Sequence, residues 1–156
     1  MLEISVPSRG VLRLEYLVLD VNGTVALDGQ LVPGVSERLD RLSSTLEPWL
    51  VSADTQGTLM SLAAPLKAKV KRLQPGDEAA QKAALVEELG AERVVAIGNG
   101  ANDAAMLRRA TLGIAVAGNE GLAIACLIAA DVVAPNIEAA LDLLLHPRRL
   151  VATLRT

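Results

Sequence analysis

Phenylalanine is absent, and Tyr16 and Trp49 are the whole aromatic complement, 1% of the 156 residues. That excludes a platform of stacked aromatic rings for single-stranded nucleic acid. A lone cysteine, Cys126, excludes an internal disulfide and Cys-rich zinc or iron–sulfur sites. A lone histidine, His146, excludes His-cluster metal sites, and any Ser-His-Asp triad would have to use it. A basic excess is missing too: 15 Lys and Arg stand against 18 Asp and Glu, for a net charge of −3. No basic field therefore exists to hold a phosphate backbone. The longest uncharged apolar run, Gly121 to Ala130, is too short to span a bilayer. The opening Met1-Leu2-Glu3 lacks the charged-then-apolar pattern of a leader. The expectation is a soluble cytoplasmic protein with neither nucleic acid nor membrane as partner.

What is present is apolar sequence: 51% hydrophobic residues and a mean hydropathy of +0.38, enough for one domain with its own core. Leu17-Val18-Leu19 is an unbroken apolar run ending in Asp20, the mark of a strand buried on both faces. Ahead of it, 3–6 and 11–15 flank Ser8-Arg9-Gly10 as a hairpin. After it, 24–27 and 30–32 bracket the turn Asp28-Gly29. A helix is expected over 35–46, a strand at Trp49-Leu50-Val51, and a helix from a cap at Asp54-Thr55 to about Ala64. Then come a strand over 68–73, a helix over 78–89 stopped by Gly90, and a strand over 93–97. The remaining pattern gives a helix over 102–109, a strand over 112–117, a helix over 121–130, a short strand at Val132-Val133 and a helix over 137–145. Alternating strands and helices predict an α/β, Rossmann-like three-layer sandwich around a mostly parallel sheet. Ligands of such folds bind beyond the carboxyl ends of the strands.

The polar residues at those ends form a chemical set. Asp20 leads Val21-Asn22-Gly23-Thr24. Ser52 leads Ala53-Asp54. Lys82 lies in the first turns of its helix, and Gly98-Asn99-Gly100-Ala101-Asn102-Asp103 joins a strand to a helix. A carboxylate can attack phosphorus and form an acyl phosphate. Anion meeting anion requires a cation, and Mg²⁺ held by one or two carboxylates suits. A lysine and a hydroxyl then neutralise and orient phosphoryl oxygens, and Gly-rich turns let backbone N–H groups approach.

These residues resemble the four motifs of the haloacid dehalogenase (HAD) superfamily, in order, from about Leu17 to Val133. The likeness is greatest to its soluble P-type-ATPase-like branch. Asp20 to Thr24 is similar to Asp-x-x-Gly-Thr, and Ser52-Ala53-Asp54 to Thr-Gly-Asp. Lys82, with Val86 and Leu89 in register, is similar to the third-motif lysine. Gly98 to Asp103 matches Gly-Asp-Gly-x-Asn-Asp except at Asn99. The resemblance implies that Asp20 is nucleophile and metal ligand and that Asn22 offers a backbone carbonyl to Mg²⁺. It implies that Ser52 and Lys82, with the Asp20–Thr24 and Ala53 segments, bind the phosphoryl group. Asn99 and Asp103 would lie at the metal, with Asp54, Gly98, Gly100 and Asn102 in support. The implied substrate is a small phosphorylated compound.

Two positions depart from that pattern. Phosphatases of the superfamily carry Asp where this chain has Asn22. An amide cannot do that acid–base work, which contributes roughly 10²–10⁴ in rate. Asn99 likewise replaces a carboxylate at the metal. The first half-reaction is then expected to survive with poor turnover, and the alternative is a phosphate-binding or interaction module without turnover. Both are Asn-Gly pairs, a sequence prone to deamidation, which would restore the usual aspartates. Cap domains of the superfamily enter in the hairpin after the first motif or ahead of the lysine. Here Asp28-Gly29 closes that hairpin, and about eight residues separate Leu73 from Lys82. The expectation is a capless domain that forms a homo-oligomer, dimer or tetramer, over its open site.

The plainer readings are structural. Asn22 shapes a turn, Asp54 caps a helix, Lys82 is one more helix-surface lysine, and Asn102 and Asp103 open a helix. Cys126 is core, His146 ends a helix, Tyr16 and Trp49 pack, and Arg148 and Arg149 are solvated. A response-regulator receiver is disfavoured because the third strand ends Lys71-Arg72-Leu73-Gln74, without an acceptor Asp. A dinucleotide fold read from Gly98-x-Gly100 is disfavoured by Asp103 at the third glycine position.

Overall fold

The computed structural model describes residues 1–54 and 58–156. Alternation of apolar and polar residues makes a hairpin of β1 (Leu2–Val6) and β2 (Gly10–Leu14), in register Ile4 to Leu12. Ile4, Val6, Leu12 and Leu14 face the core. The central sheet is built from β3 (Tyr16–Asp20), β6 (Glu47–Ser52), β7 (Lys69–Arg72), β8 (Val94–Gly98), β9 (Leu112–Val116) and β10 (Val132–Ala134). All neighbours are parallel, in the order β10-β9-β8-β3-β6-β7. A two-strand hairpin, β4 (Ala26–Leu27) with β5 (Gln30–Leu31), follows β3 and turns through Asp28 and Gly29, both at positive φ.

Period-two strands send neighbouring residues to opposite faces. Leu17, Leu19, Leu50, Ile97 and Ile114 pack on one side, with α1 (Val35–Leu42), α2 (Thr58–Ala63), α6 (Ile137–Leu145) and α7 (Pro147–Leu154). Val18, Val51, Ala96 and Ala115 pack on the other, with α3 (Glu78–Leu89), α4 (Ala104–Arg109) and α5 (Ile124–Ala129). This is the expected three-layer α/β sandwich. The chain leaves β3 toward β6 on one side and returns to β8 on the other, so the order reverses at β3. The ends of β3, β6 and β8 carry Asp20, Ser52 and Gly98.

Element ends differ from expectation for local reasons. The first helix stops at Leu42 rather than Leu46 because the hydroxyls of Ser43, Ser44 and Thr45 each donate to the carbonyl three residues back, at 2.6, 3.0 and 3.1 Å. The helix expected from Gly121 starts at Ile124, since Gly121 has φ +84 and closes a turn on Gly118. The helix expected from Asn102 opens as a 3₁₀ turn over Ala101–Asp103 before α4. Helix α7 was not expected; Pro147 starts it, and Leu150 and Leu154, one turn apart, are buried. Arg148 and Arg149 are exposed on it. Thr55 of the proposed cap lies outside the described residues, while Asp54 accepts the Leu59 N–H at 2.6 Å. Trp49 donates to Glu47 at 2.8 Å under Lys69, and Tyr16 lies under Arg93. Among the described residues no helix is long and apolar enough to cross a membrane.

Candidate active site

Lys82 decides the electrostatics of the strand ends. Asp77 caps α3 through the Ala80 N–H, and Leu85 and Val86 turn one face of the helix into the core. The same face carries Lys82, which is 2% exposed, so the helix-surface reading fails. Its Nζ donates at 2.7 Å to Asp20 Oδ1 and at 2.7 Å to Asp103 Oδ1. Thr24 Oγ1 lies 3.2 Å from Asp20 Oδ2 and 3.1 Å from Asn99 Oδ1, and its single proton bridges these acceptors.

Two buried carboxylates share one buried ammonium. Burial first, and then the charge of Asp103, push the Asp20 carboxyl up to about 6, against the pull of Lys82 and Thr24. Burial alone would lower the Lys82 ammonium, but Asp20 and Asp103 more than offset it and leave it raised. Burial, with the same two carboxylates, pushes the Cys126 thiol up to about 12. That thiol is a core group 3.6 Å from the Gly98 carbonyl, not a nucleophile.

A cleft of about 580 Å³ opens over Asp20 and Lys82. Asn22, Ser52, Ala53, Asp54, Asn99, Gly100 and Asn102 line it. Asp103 does not. It is fully buried, and its Oδ2 takes the backbone N–H groups of Asn99 and Gly100 at 3.0 and 2.9 Å. Asp103 fixes Lys82 and the Asn99 turn from behind the cleft. Gly98 stands behind it, where a Cβ would come 2.5 Å from Asp103 Cγ. Thr24 is likewise behind Asp20, and the Val21 side chain belongs to the core. Asn102 donates to Glu78 at 2.8 Å, which ties the Asn99 turn to the start of α3.

The two Asn-Gly pairs are held against deamidation, which requires the following backbone nitrogen to attack the side chain. The Gly23 N–H is bonded to Ala26 O at 2.8 Å and the Gly100 N–H to Asp103 at 2.9 Å. Four cleft residues lie outside the motif reading: Gly29, Thr58, Glu78 and Glu120. Glu78 was legible only as a first-turn helix acid. Glu120 sits in a glycine-bracketed turn that carries no motif.

Residues 8–111 match the family described as haloacid dehalogenase-like hydrolase. The uncharacterised protein MJ0073 of Methanocaldococcus jannaschii is 44% identical over 91 residues, 56% of this chain and 98% of that protein. The fold is also that of 3-deoxy-D-manno-octulosonate 8-phosphate phosphatase from Moraxella catarrhalis, solved with magnesium, phosphate and KDO. That likeness has a TM-score of 0.70 at 18% identity and covers 90% of this chain and 92% of that one. A zinc-transporting PIB-type ATPase matches with a TM-score of 0.61 at 21% identity, over 79% of this chain and 20% of the ATPase.

Proposed function

The chain belongs to the haloacid dehalogenase-like hydrolases, and from that premise we propose that it is a divalent-cation-dependent phosphohydrolase. It acts on a small phosphorylated substrate through an aspartyl phosphate on Asp20. The observation that carries this reading is the floor of the cleft: a buried carboxylate held 2.7 Å from a buried lysine that a second carboxylate fixes from behind. Asp20 Oδ attacks phosphorus, the bond to the leaving oxygen breaks, and the leaving group takes its proton from solvent. Lys82 and the Ser52 hydroxyl hold the phosphoryl oxygens through this step. The soluble P-type-ATPase-like assignment within the family belongs to the same proposal.

The residues fit Mg²⁺. The cluster of Asp20, Asp103 and Lys82 carries a net negative charge once Asp20 ionises, and Asp20 faces a polar cleft. Asp20, the Asn22 carbonyl and Asn99 Oδ1 would hold the ion. No group of three or more His, Cys, Asp or Glu among the described residues forms a denser centre, so it would keep several waters. When bound, it would screen the approach of phosphate to Asp20.

Asn22 limits turnover, because its amide cannot give the leaving group a proton. Magnesium-dependent release of phosphate from p-nitrophenyl phosphate and acetyl phosphate, lost in EDTA, tests the reading. Asn22→Asp is expected to raise turnover by about 10²-fold, the lower end of general acid–base catalysis. No activity in wild type and no gain in the variant would transfer the assignment to a phosphate-binding module, the reading that Asn22 and Asn99 favour.

The capless cleft is closed in this proposal by a second copy of the chain, as dimer or tetramer. Exposed Ile124 and Ile128 on α5, 69% and 68% accessible, support an interface beside the cleft. A monomer mass by light scattering at micromolar concentration would overturn it.

A further inference from the structure

The cleft contains carboxylates besides Asp20, and they differ in what they already hold. Asp54 takes the Leu59 N–H, and Glu78 takes the Asn102 amide. Glu120 also lines the cleft, yet it has no hydrogen bond or ion pair among the described residues.

Its position is nonetheless set by the scaffold. Glu120 stands on the turn from Gly118 to Gly121 that follows β9, closed by the Gly121 N–H on Gly118 O at 2.9 Å. That turn is pinned to the fourth motif twice. The Asn99 side-chain amide donates to Gly121 O at 3.3 Å, and the Ala123 N–H donates to Asn99 O at 2.9 Å. On its other side it lies against the first motif, where a Cβ on Gly118 would stand 3.2 Å from Gly23 O. The Glu120 carboxylate covers Gly23 itself. A Cβ there would be 2.3 Å from Glu120 Oε2 and 2.9 Å from Asn99 Nδ2. A carboxylate without a partner among the described residues therefore lies over the residue that follows Asn22, the position where the site lacks an acid–base group.

We infer that Glu120 is the base for breakdown of the aspartyl phosphate, doing the work that the Asn22 amide cannot. The inference rests on the aspartyl-phosphate reading of Asp20. Water adds to phosphorus as its proton passes to the Glu120 carboxylate. The phosphorus–oxygen bond to Asp20 breaks, Asp20 regains its carboxylate and inorganic phosphate leaves. Glu120 is exposed, so it returns the proton directly to solvent. Asp54 and Glu78 each already commit a carboxylate oxygen to an N–H donor of the scaffold.

The lifetime of the phosphoenzyme is the test. Wild type, Glu120→Gln, Asn22→Asp and the double variant are loaded with acetyl phosphate and Mg²⁺, diluted, quenched in acid and read by intact mass. Glu120→Gln is expected to lengthen the lifetime about 10²-fold. The double variant is expected to decay nearly as fast as Asn22→Asp alone, a rescue that loss of a merely structural group would not show. Equal lifetimes in wild type and Glu120→Gln would overturn the role of Glu120 and leave that of Asp20 intact. Phosphate release from acetyl phosphate by wild type and Glu120→Gln with no acid-stable phosphoenzyme in either would overturn both.

Discussion

Asp20→Asn is expected to abolish phosphate release and phosphoenzyme formation, by a factor of about 10³ or more, as removal of a nucleophile does. The same substitution is expected to leave the metal-free chain more stable, which separates loss of chemistry from loss of fold. In the absence of a cation, ionised Asp20 is a second negative charge in a cluster with one ammonium. Its carboxyl is raised from 3.8 to about 6. The sign follows from linkage: with the folded value above the unfolded one, the folded state binds the extra proton between about pH 4 and pH 6. Wild-type stability therefore falls as pH rises through that window, and the variant lacks this fall. The amide oxygen still accepts from Lys82, and the Thr24 hydroxyl donates wholly to Asn99. Thermal unfolding in EDTA at pH 7 should show a rise of a few degrees, since about 1 kcal/mol corresponds to about 2–4 °C at this chain length. A variant that retains activity would remove Asp20 from the chemistry. A less stable variant would make the Asp20 carboxylate a structural counter-ion.

How much of this was legible in the sequence depended on distance along the chain. The strands ending at Asp20, Ser52 and Gly98 were readable because apolar runs buried on both faces leave few alternatives. Lys82 can be put on the inward face of its helix because Val86 shares that face. Its burial was not readable, since nothing in a helix of mixed lysines and glutamates says which lysine meets two carboxylates. The burial of Asp103 behind the cleft is not readable either. Asp103 is polar and four residues from Asn99, but the turn between them folds its carboxylate back onto the backbone N–H groups of Asn99 and Gly100. Glu120 was invisible for the opposite reason: it meets Gly23 only through tertiary packing, and no spacing links them. Helix α7 was missed because His146-Pro147 reads as a stop, whereas a proline in the first turn also starts a helix.

Lys82→Met is expected to destabilise the chain by about 3–5 kcal/mol, the range for removing one partner of a buried ion pair. Methionine fills the space of the lysine stem, so the loss reads charge rather than volume. Asp20 and Asp103 would remain, 7% and 0% exposed, with no countercharge between them. Asp103 keeps its two backbone N–H donors, whereas Asp20 keeps only the Thr24 hydroxyl. Two dependent results follow. The destabilisation should shrink as pH falls, because protonation of Asp20 removes the repulsion that Lys82 normally balances. Asp20→Asn in the Lys82→Met background should then recover more stability than it gives in wild type, a coupling on the order of 1 kcal/mol or more between groups in one buried network. Urea denaturation of the four proteins in EDTA measures all three quantities. A Lys82→Met midpoint equal to wild type, or additive single and double variants, would mean that the two carboxylates draw no support from the lysine. The reading of the cleft floor as a charge-balanced phosphoryl site would then lose its physical basis.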